Sequence, residues 1–233
     1  FNGSGDQDIT NTTGEVFYDL VIDKGTGSLA LANDVIAVNS LSLDAGTIIT
    51  AGNTITLGSG ISELGTLSRT APAMIVGQFT RWVNAANQNN LLFPIGGDGE
   101  YRPVVLTFND LNPGTLTAEF ISSSPGGISN PPLLDDGYDL NNTYIEGYWT
   151  LTRGNSMASS DYDVEVTATG FTTFTPSSNT RIVVRPNSSS DWTASGTHDG
   201  AGFSAPTIKR SRVDLISCEI AKAENESCTL PNT

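Results

Sequence analysis

A repeat of short apolar doublets near the start of the chain restricts its fold more than any other feature. Side chains two positions apart point to the same face of a strand, so a doublet can bury one face while the residues between doublets turn the chain. Between residues 20 and 67 the doublets recur at short, nearly regular intervals, separated by Gly, Asn and Asp. The pattern predicts a short β-solenoid or a run of tight hairpins. The three doublets are Leu29/Leu31, Leu41/Leu43 and Ile55/Leu57.

The remainder of the chain has the pattern of a β-sandwich. From Thr70 onward, eight apolar or alternating segments follow one another with Gly, Pro or Asn between them, which is typical of a sandwich of short antiparallel strands. Abundant Thr, Val and Ile favour strands over helices. We therefore predict an all-β protein in which a repeat segment (1–69) packs against a sandwich (70–216), followed by a tail (217–233).

Both cysteines of the chain, Cys218 and Cys228, lie in this tail. Their absence from the body of the protein and their spacing of ten positions predict an oxidising compartment and one small disulfide loop. A pair of free thiols is the alternative. A zinc site is disfavoured because it needs two more ligands, and the one histidine, His198, lies twenty positions before Cys218.

The chain is strongly acidic, with 25 acidic and 11 basic residues and a formal net charge of −14. Most of such a surface repels polyanions, so nucleic acid is not an expected partner. The acidity suits a soluble extracellular surface or one that collects Ca²⁺. No stretch approaches the ~20 consecutive apolar residues of a membrane-spanning helix, so we expect no membrane span.

The sharpest acidic cluster is the segment LLDDGYDLNN. Carboxylate and amide oxygens at close spacing, with a glycine to turn the chain, are the ligands that Ca²⁺ prefers. The twelve-residue calcium loop that ends in Glu is not in register here, and a solvated turn is the alternative. The candidate calcium ligands are Asp135, Asp136, Asp139 and Asn141.

Two long polar loops, 122–142 and 186–202, are longer than simple connections need to be. Ordered loops of this length generally serve binding, packing or assembly. Trp192 lies in the polar stretch SSSDWTASGTHDG, which predicts that its ring is at the surface. There it could stack on a sugar.

Catalysis is not expected. His198 is the sole imidazole, and no Gly-x-Ser-x-Gly segment supplies a nucleophile for it. A glycosidase that uses two carboxylates stays open, because such pairs are assembled from distant strands. Nothing in the sequence singles out one pair, and we predict that the protein is not an enzyme.

The order and wording of several segments point to a group of proteins. The opening FNGSGDQDITNTTGEVFYDLVIDKG, followed by IVGQFTRWV, LLFPIGGDGEYRPVVLTF and EGYWTLT, resembles repeat-bearing surface proteins of Bacteroidetes that are exported by the type IX secretion route. The resemblance covers about Phe1 to Phe174. It implies a secreted, β-rich protein that is attached to the cell surface or released, as an adhesin or as part of a large extracellular assembly.

These observations predict a non-enzymatic structural subunit of an extracellular filament or cell-surface assembly. We expect a homopolymer joined by β-strand contacts. The alternative is an adhesin or carbohydrate-binding module, with calcium as a candidate cofactor, that uses loop 122–142 and Trp192 to bind a glycan. Three doublets give only about three rungs, close to the minimum for a stable repeat. The repeat therefore needs cover from the sandwich on one side and from another subunit on the other.

Overall fold

A computed structural model of the protein describes residues 1–214 and 218–224. These residues form nineteen strands and no helix, which confirms the predicted all-β class. Accordingly, no helix in the described part of the chain could span a membrane. The strands are β1 (Gln7–Ile9), β2 (Glu15–Leu31), β3 (Val35–Leu57), β4 (Thr66–Arg69), β5 (Met74–Val83), β6 (Leu91–Phe93), β7 (Ile95–Gly97), β8 (Glu100–Tyr101), β9 (Val104–Phe108), β10 (Gly114–Ile121), β11 (Leu133–Asp135), β12 (Tyr138–Leu140), β13 (Asn142–Thr143), β14 (Tyr148–Gly154), β15 (Tyr162–Thr167), β16 (Arg181–Arg185), β17 (Thr197–His198), β18 (Thr207–Val213) and β19 (Cys218–Glu224).

The first part of the chain is a parallel β-solenoid of about four turns. Strands β1, β2, β3, β5 and β7 pair successively in parallel, so successive turns stack in register. Parallel pairing requires a long connection between partners, which excludes the alternative of tight hairpins here. One column of stacked residues contains Asp8, Ala30, Ile49, Val76 and Gly96, and each step along it is one turn of the coil.

The apolar doublets line the solenoid core, but they do not stack on one another. Leu41 lies between Leu20 and Leu67, whereas Ile55 pairs with Phe79 on a different face of the coil. All six doublet residues are buried. The number of residues from one doublet to the next therefore corresponds to the step from one face of the coil to the next face. A full turn of the coil contains more residues than this step.

Asparagine side chains connect successive turns at one corner of the solenoid. The Nδ2 of Asn33 donates to the backbone carbonyl of Asn11, and the Nδ2 of Asn53 donates to the carbonyl of Leu31 at 2.8 Å. Each bond joins positions that differ by 22 in the sequence, as do Asp8 and Ala30 in the stacked column. The asparagines therefore recur once per turn and satisfy carbonyl groups where the chain bends.

The second part of the chain is the predicted sandwich. A five-stranded sheet, in the order β17-β18-β15-β9-β6, shares one hydrophobic core with the sheet that continues from the solenoid. The Phe79 ring (β5) meets the Phe93 ring (β6) edge to face at 5.8 Å, and both belong to one continuous core. Strand β5 pairs in parallel with β3 and antiparallel with β10, so the sheet is continuous across the predicted boundary at residue 69.

Loop 122–142, which we call the strap, covers the outer face of this sheet. Strand β16 is buried along its whole length. Ile182 and Val184 face the main core, whereas Val183 packs in a second cluster with Ile128 and Leu140 of the strap. Alternate residues of a strand face opposite sides, so the strap forms a third layer. This long loop is therefore used for packing.

The prediction that Trp192 lies at the surface is wrong. Its side chain is 3% exposed and belongs to the cluster beneath the strap. The guanidinium of Arg185 lies 4.1 Å from the centre of its ring. The neighbouring Thr193 exchanges two backbone hydrogen bonds with Val184, which places the tryptophan against the sheet. Its sequence neighbours Asp191 and Thr193 are exposed.

Candidate functional site

A buried ion cluster fixes the strap to the sandwich. Asp135 of β11 is 8% exposed and accepts two hydrogen bonds from Arg210 of β18, at 2.8 and 2.9 Å. The Nε of Arg181 (β16) lies 3.3 Å from the same carboxylate. A bidentate arginine–carboxylate pair is among the strongest hydrogen-bonded contacts in proteins. The cluster, here called the clamp, therefore joins three elements that are distant in sequence.

One of the predicted calcium ligands, Asp135, is bound to the two arginines of the clamp. In the β11–β12 hairpin Leu134 is opposite Asp139, so Asp139 points to the other side of the hairpin from Asp135. Asp136 occupies the turn with a φ of 49° and is exposed, and Asn141 is half-buried beyond β12. The described side chains include no group of three or more His, Cys, Asp or Glu arranged to hold a metal ion. Calcium binding therefore stays a prediction. Within the described residues, the four predicted ligands do not point to one common site.

His198 is at the margin of the clamp. Its Nε2 lies 3.0 Å from the carbonyl oxygen of Ser178, and its Nδ1 is buried without a hydrogen-bond partner. Burial, followed by the positive charge of Arg181, lowers the pKa of the imidazole. The hydrogen bond of the ring goes to a backbone carbonyl and not to a hydroxyl nucleophile.

Of the two cysteines, one lies within the described residues. Cys218 begins β19, which pairs with β14 and β16 in the large sheet. Cys228 lies outside the described residues. The disulfide between them therefore stays a prediction.

The strongest candidate for an interaction site is an unpaired strand edge at the start of the solenoid. Strand β1 covers β2 only at Leu29–Leu31. Phe1 adds two backbone contacts, in which its amino group donates to the Val21 carbonyl at 2.7 Å and its carbonyl accepts from the Asp23 N–H at 2.9 Å. Between Glu15 and Leu20, the side of β2 away from β3 has no partner strand in the described part of the chain. We call this stretch the open edge.

Large apolar side chains project from the open edge. Tyr18 is 69% exposed, more than any other large hydrophobic residue in the described part, and Val16 is 61% exposed. Tyr18 also borders a groove of about 480 Å³ whose other walls include Val38, Asn39 and Glu63. Exposed apolar groups of this kind mark interaction surfaces when they are contiguous. In the segment EVFYDL, apolar residues fall on both faces of one strand, a signal that sequence inspection could have used.

The acidic residues of the open edge are held in place. The Asp19 carboxylate accepts hydrogen bonds from Asn39 at 2.7 Å and from the Ser40 hydroxyl at 2.5 Å. These bonds, that of Ser40 first, lower the pKa of Asp19. Glu15 accepts a hydrogen bond from Asn11 at 2.7 Å. The edge therefore presents two oriented carboxylates next to its apolar side chains.

Burial makes the surface more acidic than the net charge indicates. Of the ten basic residues whose side chains the structure describes, six are buried, whereas Asp135 is the one buried acid among these side chains. Residues 1–68 contain eight acidic residues, none of them buried, and a single base, Lys24, which is fully buried. These residues therefore present acidic side chains without an exposed basic one, and Arg69, at the end of β4, is the next base and is half-buried. The buried bases are Lys24, Arg81, Arg102, Arg181, Arg185 and Arg210.

Comparison with known proteins yields no match to a protein family, to a curated protein or to a solved structure. The proposals on function therefore depend on the geometry and charge of the open edge.

Proposed function

We propose that this protein is a non-enzymatic structural subunit of an extracellular filament or cell-surface assembly. A neighbouring subunit adds a strand to the open edge and continues the solenoid sheet. The observation that carries the proposal is the row of unpaired backbone groups between Glu15 and Leu20 in the described part of the chain. Unpaired edges of this kind are templates for strand addition.

The position of the open edge supports a joint between subunits. At the other end of the solenoid, β5 continues through β10 into the sandwich, so the sandwich covers that end. The open edge contains no lysine or proline, residues that commonly protect edge strands from pairing. Its protection consists of Glu15 and Asp19 alone.

Charge introduced at the open edge tests this proposal. Val16→Lys combined with Tyr18→Lys should abolish association, because a strand that pairs there would have to cover two ammonium groups. Both side chains are exposed, so we expect the melting temperature to change little. Sedimentation velocity of the full chain at high concentration, and electron microscopy of native material, measure the effect.

The matched control is Ile145→Lys, a substitution of a 60% exposed residue outside the solenoid. It should leave association unchanged. Assemblies that persist in the Val16/Tyr18 variant, or that the control abolishes equally, would contradict the proposed joint.

An adhesin or carbohydrate-binding module is the second candidate, supported by the groove beside Tyr18. An exposed aromatic ring next to amide and carboxylate groups suits a sugar, and Tyr18 takes the role that Trp192 cannot fill. On a glycan array, binding that is lost with Tyr18→Ala and kept with Val16→Lys would favour this candidate over strand addition. An array without any bound glycan would argue against it.

A further inference from the structure

His198 lies at the point where loop 186–202 meets the clamp. We propose that this histidine makes the loop an acid-sensitive flap: protonation of the imidazole favours release of the loop from the sandwich, which exposes the ring of Trp192. The inference does not depend on the proposed joint between subunits, because it concerns the clamp and not the open edge. His198 is the one histidine of the sequence, so a single imidazole carries the effect.

Several contacts attach loop 186–202 to the sandwich. Trp192 is buried beneath the strap, and Thr193 exchanges two backbone hydrogen bonds with Val184. His198 belongs to β17 and so continues the five-stranded sheet. The loop is also held by Arg210, the arginine that binds the carboxylate of the clamp. Its guanidinium donates to three consecutive carbonyl oxygens of the loop, those of Ala194, Ser195 and Gly196.

The ring of His198 is close to both arginines of the clamp. His198 is directly opposite Arg210 in the β17–β18 pair, and opposite residues on paired strands have Cβ atoms about 5 Å apart on one face of the sheet. The Nε2 of His198 and the Nη1 of Arg181 each lie 3.0 Å from the carbonyl oxygen of Ser178. These two nitrogens are therefore at most twice that distance apart. Like charges at such positions destabilise the pairing.

The groups around the ring compensate an added proton poorly. Asp135 of β11 is the carboxylate of the clamp, and both of its oxygens already accept hydrogen bonds from Arg210. Tyr138 of β12 contributes an uncharged ring whose centre lies 4.4 Å from the Arg181 guanidinium. The Asp199 carboxylate, next to the histidine in sequence, accepts a hydrogen bond from a backbone N–H of the following turn at 2.9 Å. Two guanidinium groups therefore share one carboxylate before the imidazole gains its charge.

The hydrogen bonds of the ring suit its neutral form. Because Ser178 offers a carbonyl oxygen, Nε2 carries the proton of the neutral imidazole and Nδ1 carries a lone pair. Nδ1 is buried and has no partner in the described part of the chain, so a second proton there would be a donor without an acceptor. Burial, followed by the charge of Arg181, lowers the pKa of the imidazole from its ordinary 6.5.

The sign of the pH effect follows from this lowered pKa. When the loop is released, the imidazole meets water and regains its ordinary affinity for a proton. Since the attached form binds the proton less tightly, attachment of the loop is complete above pH 6.5 and weakens as the pH falls below that value.

Amide hydrogen exchange at about pH 7.5 and pH 5, with each rate divided into that of an unstructured peptide at the same pH, tests the inference. The reporter is the Thr193 N–H, which donates to the Val184 carbonyl at 2.8 Å. Its protection should fall about threefold or more at the lower pH. The Gly58 N–H, which donates to Ala37 in the solenoid at 2.8 Å, is the internal control and should keep its protection. An NMR titration of the single imidazole should give a pKa below 6.5.

His198→Gln is the matched variant, because its amide can still donate to Ser178 but gains no charge in acid. The Thr193 N–H of this variant should be equally protected at both pH values. Equal loss of protection in the variant and the wild type would overturn the inference, as would unchanged protection in the wild type or an imidazole pKa of 6.5 or above. If His198→Gln is unfolded by circular dichroism, His198→Asn replaces it with the same expected result.

Discussion

Replacing Asp135 by alanine should lower the free energy of unfolding by about 3–5 kcal/mol, the usual effect of removing one partner from a buried ion pair. The carboxylate is 8% exposed and neutralises both Arg210 and Arg181. Without it, two buried guanidinium groups lose their counterion, and the strap loses its contact with β18. Urea unfolding at neutral pH, followed by circular dichroism, measures the change.

Two further variants test whether the loss of stability comes from the clamp itself. Asp139→Ala, on the exposed side of the same hairpin, should cost less than about 0.5 kcal/mol. Asp135→Leu combined with Arg210→Met should recover part of the loss, because apolar pairs often replace buried ion pairs without a penalty. An Asp135→Ala protein as stable as wild type would show that the carboxylate is solvated and that the clamp is absent.

The second large effect is expected at Trp192. Truncation to alanine should destabilise the protein by about 3–5 kcal/mol, as for other buried aromatic residues. The ring is 3% exposed, packs with Ile128, Leu140 and Val183, and lies under the guanidinium of Arg185. Guanidinium chloride unfolding provides the measurement.

Leu134→Ala is the control for this substitution, because Leu134 lies in the strap and is 65% exposed. It should change stability by less than about 0.5 kcal/mol. If the Trp192→Ala protein keeps its stability but loses affinity for glycans, the ring lies at the surface, as predicted from the sequence. That result would contradict the burial of Trp192 beneath the strap.

A solenoid could be predicted from the sequence, but the number of residues in one of its turns could not. Alternation at Leu41/Leu43 and Ile55/Leu57 identified inward-facing residues correctly, because burial of alternate side chains is a local property of a strand. The length of a turn depends on which residues become neighbours between turns. The spacing of Asn11, Asn33 and Asn53 carries that information, and polar corner residues are easily overlooked beside an apolar pattern.

Residues 130 to 200 were harder to interpret from sequence, because the contacts there are long-range. Asp135 appears in an acidic, glycine-containing turn, which suggests a cation, yet its partners Arg181 and Arg210 come from strands much later in the chain. Trp192 is flanked by polar residues, and only its pairing beside Val184 places it in the interior. Both positions depend on how the strap packs on the sheet, which neither local composition nor periodicity records.

The open edge is where local pattern and tertiary structure agree. Val16 and Tyr18 are apolar on the outer face of a strand whose inner face is also apolar, and the topology of the described residues leaves that strand without a neighbour on one side from Glu15 to Leu20. A row of unpaired backbone groups next to exposed apolar side chains is unfavourable in an isolated subunit. It is the arrangement expected of a strand that a further strand covers, as the proposed joint requires.

Amide hydrogen exchange along β2 tests this account most directly. In the isolated chain, the backbone N–H groups between Val16 and Leu20 that point away from β3 should exchange rapidly, while those that pair with β3 are protected. In native assemblies, the outward-pointing groups should exchange about tenfold or more slowly. Outward-pointing amides that are already protected in the isolated chain, or that exchange equally fast after assembly, would contradict it.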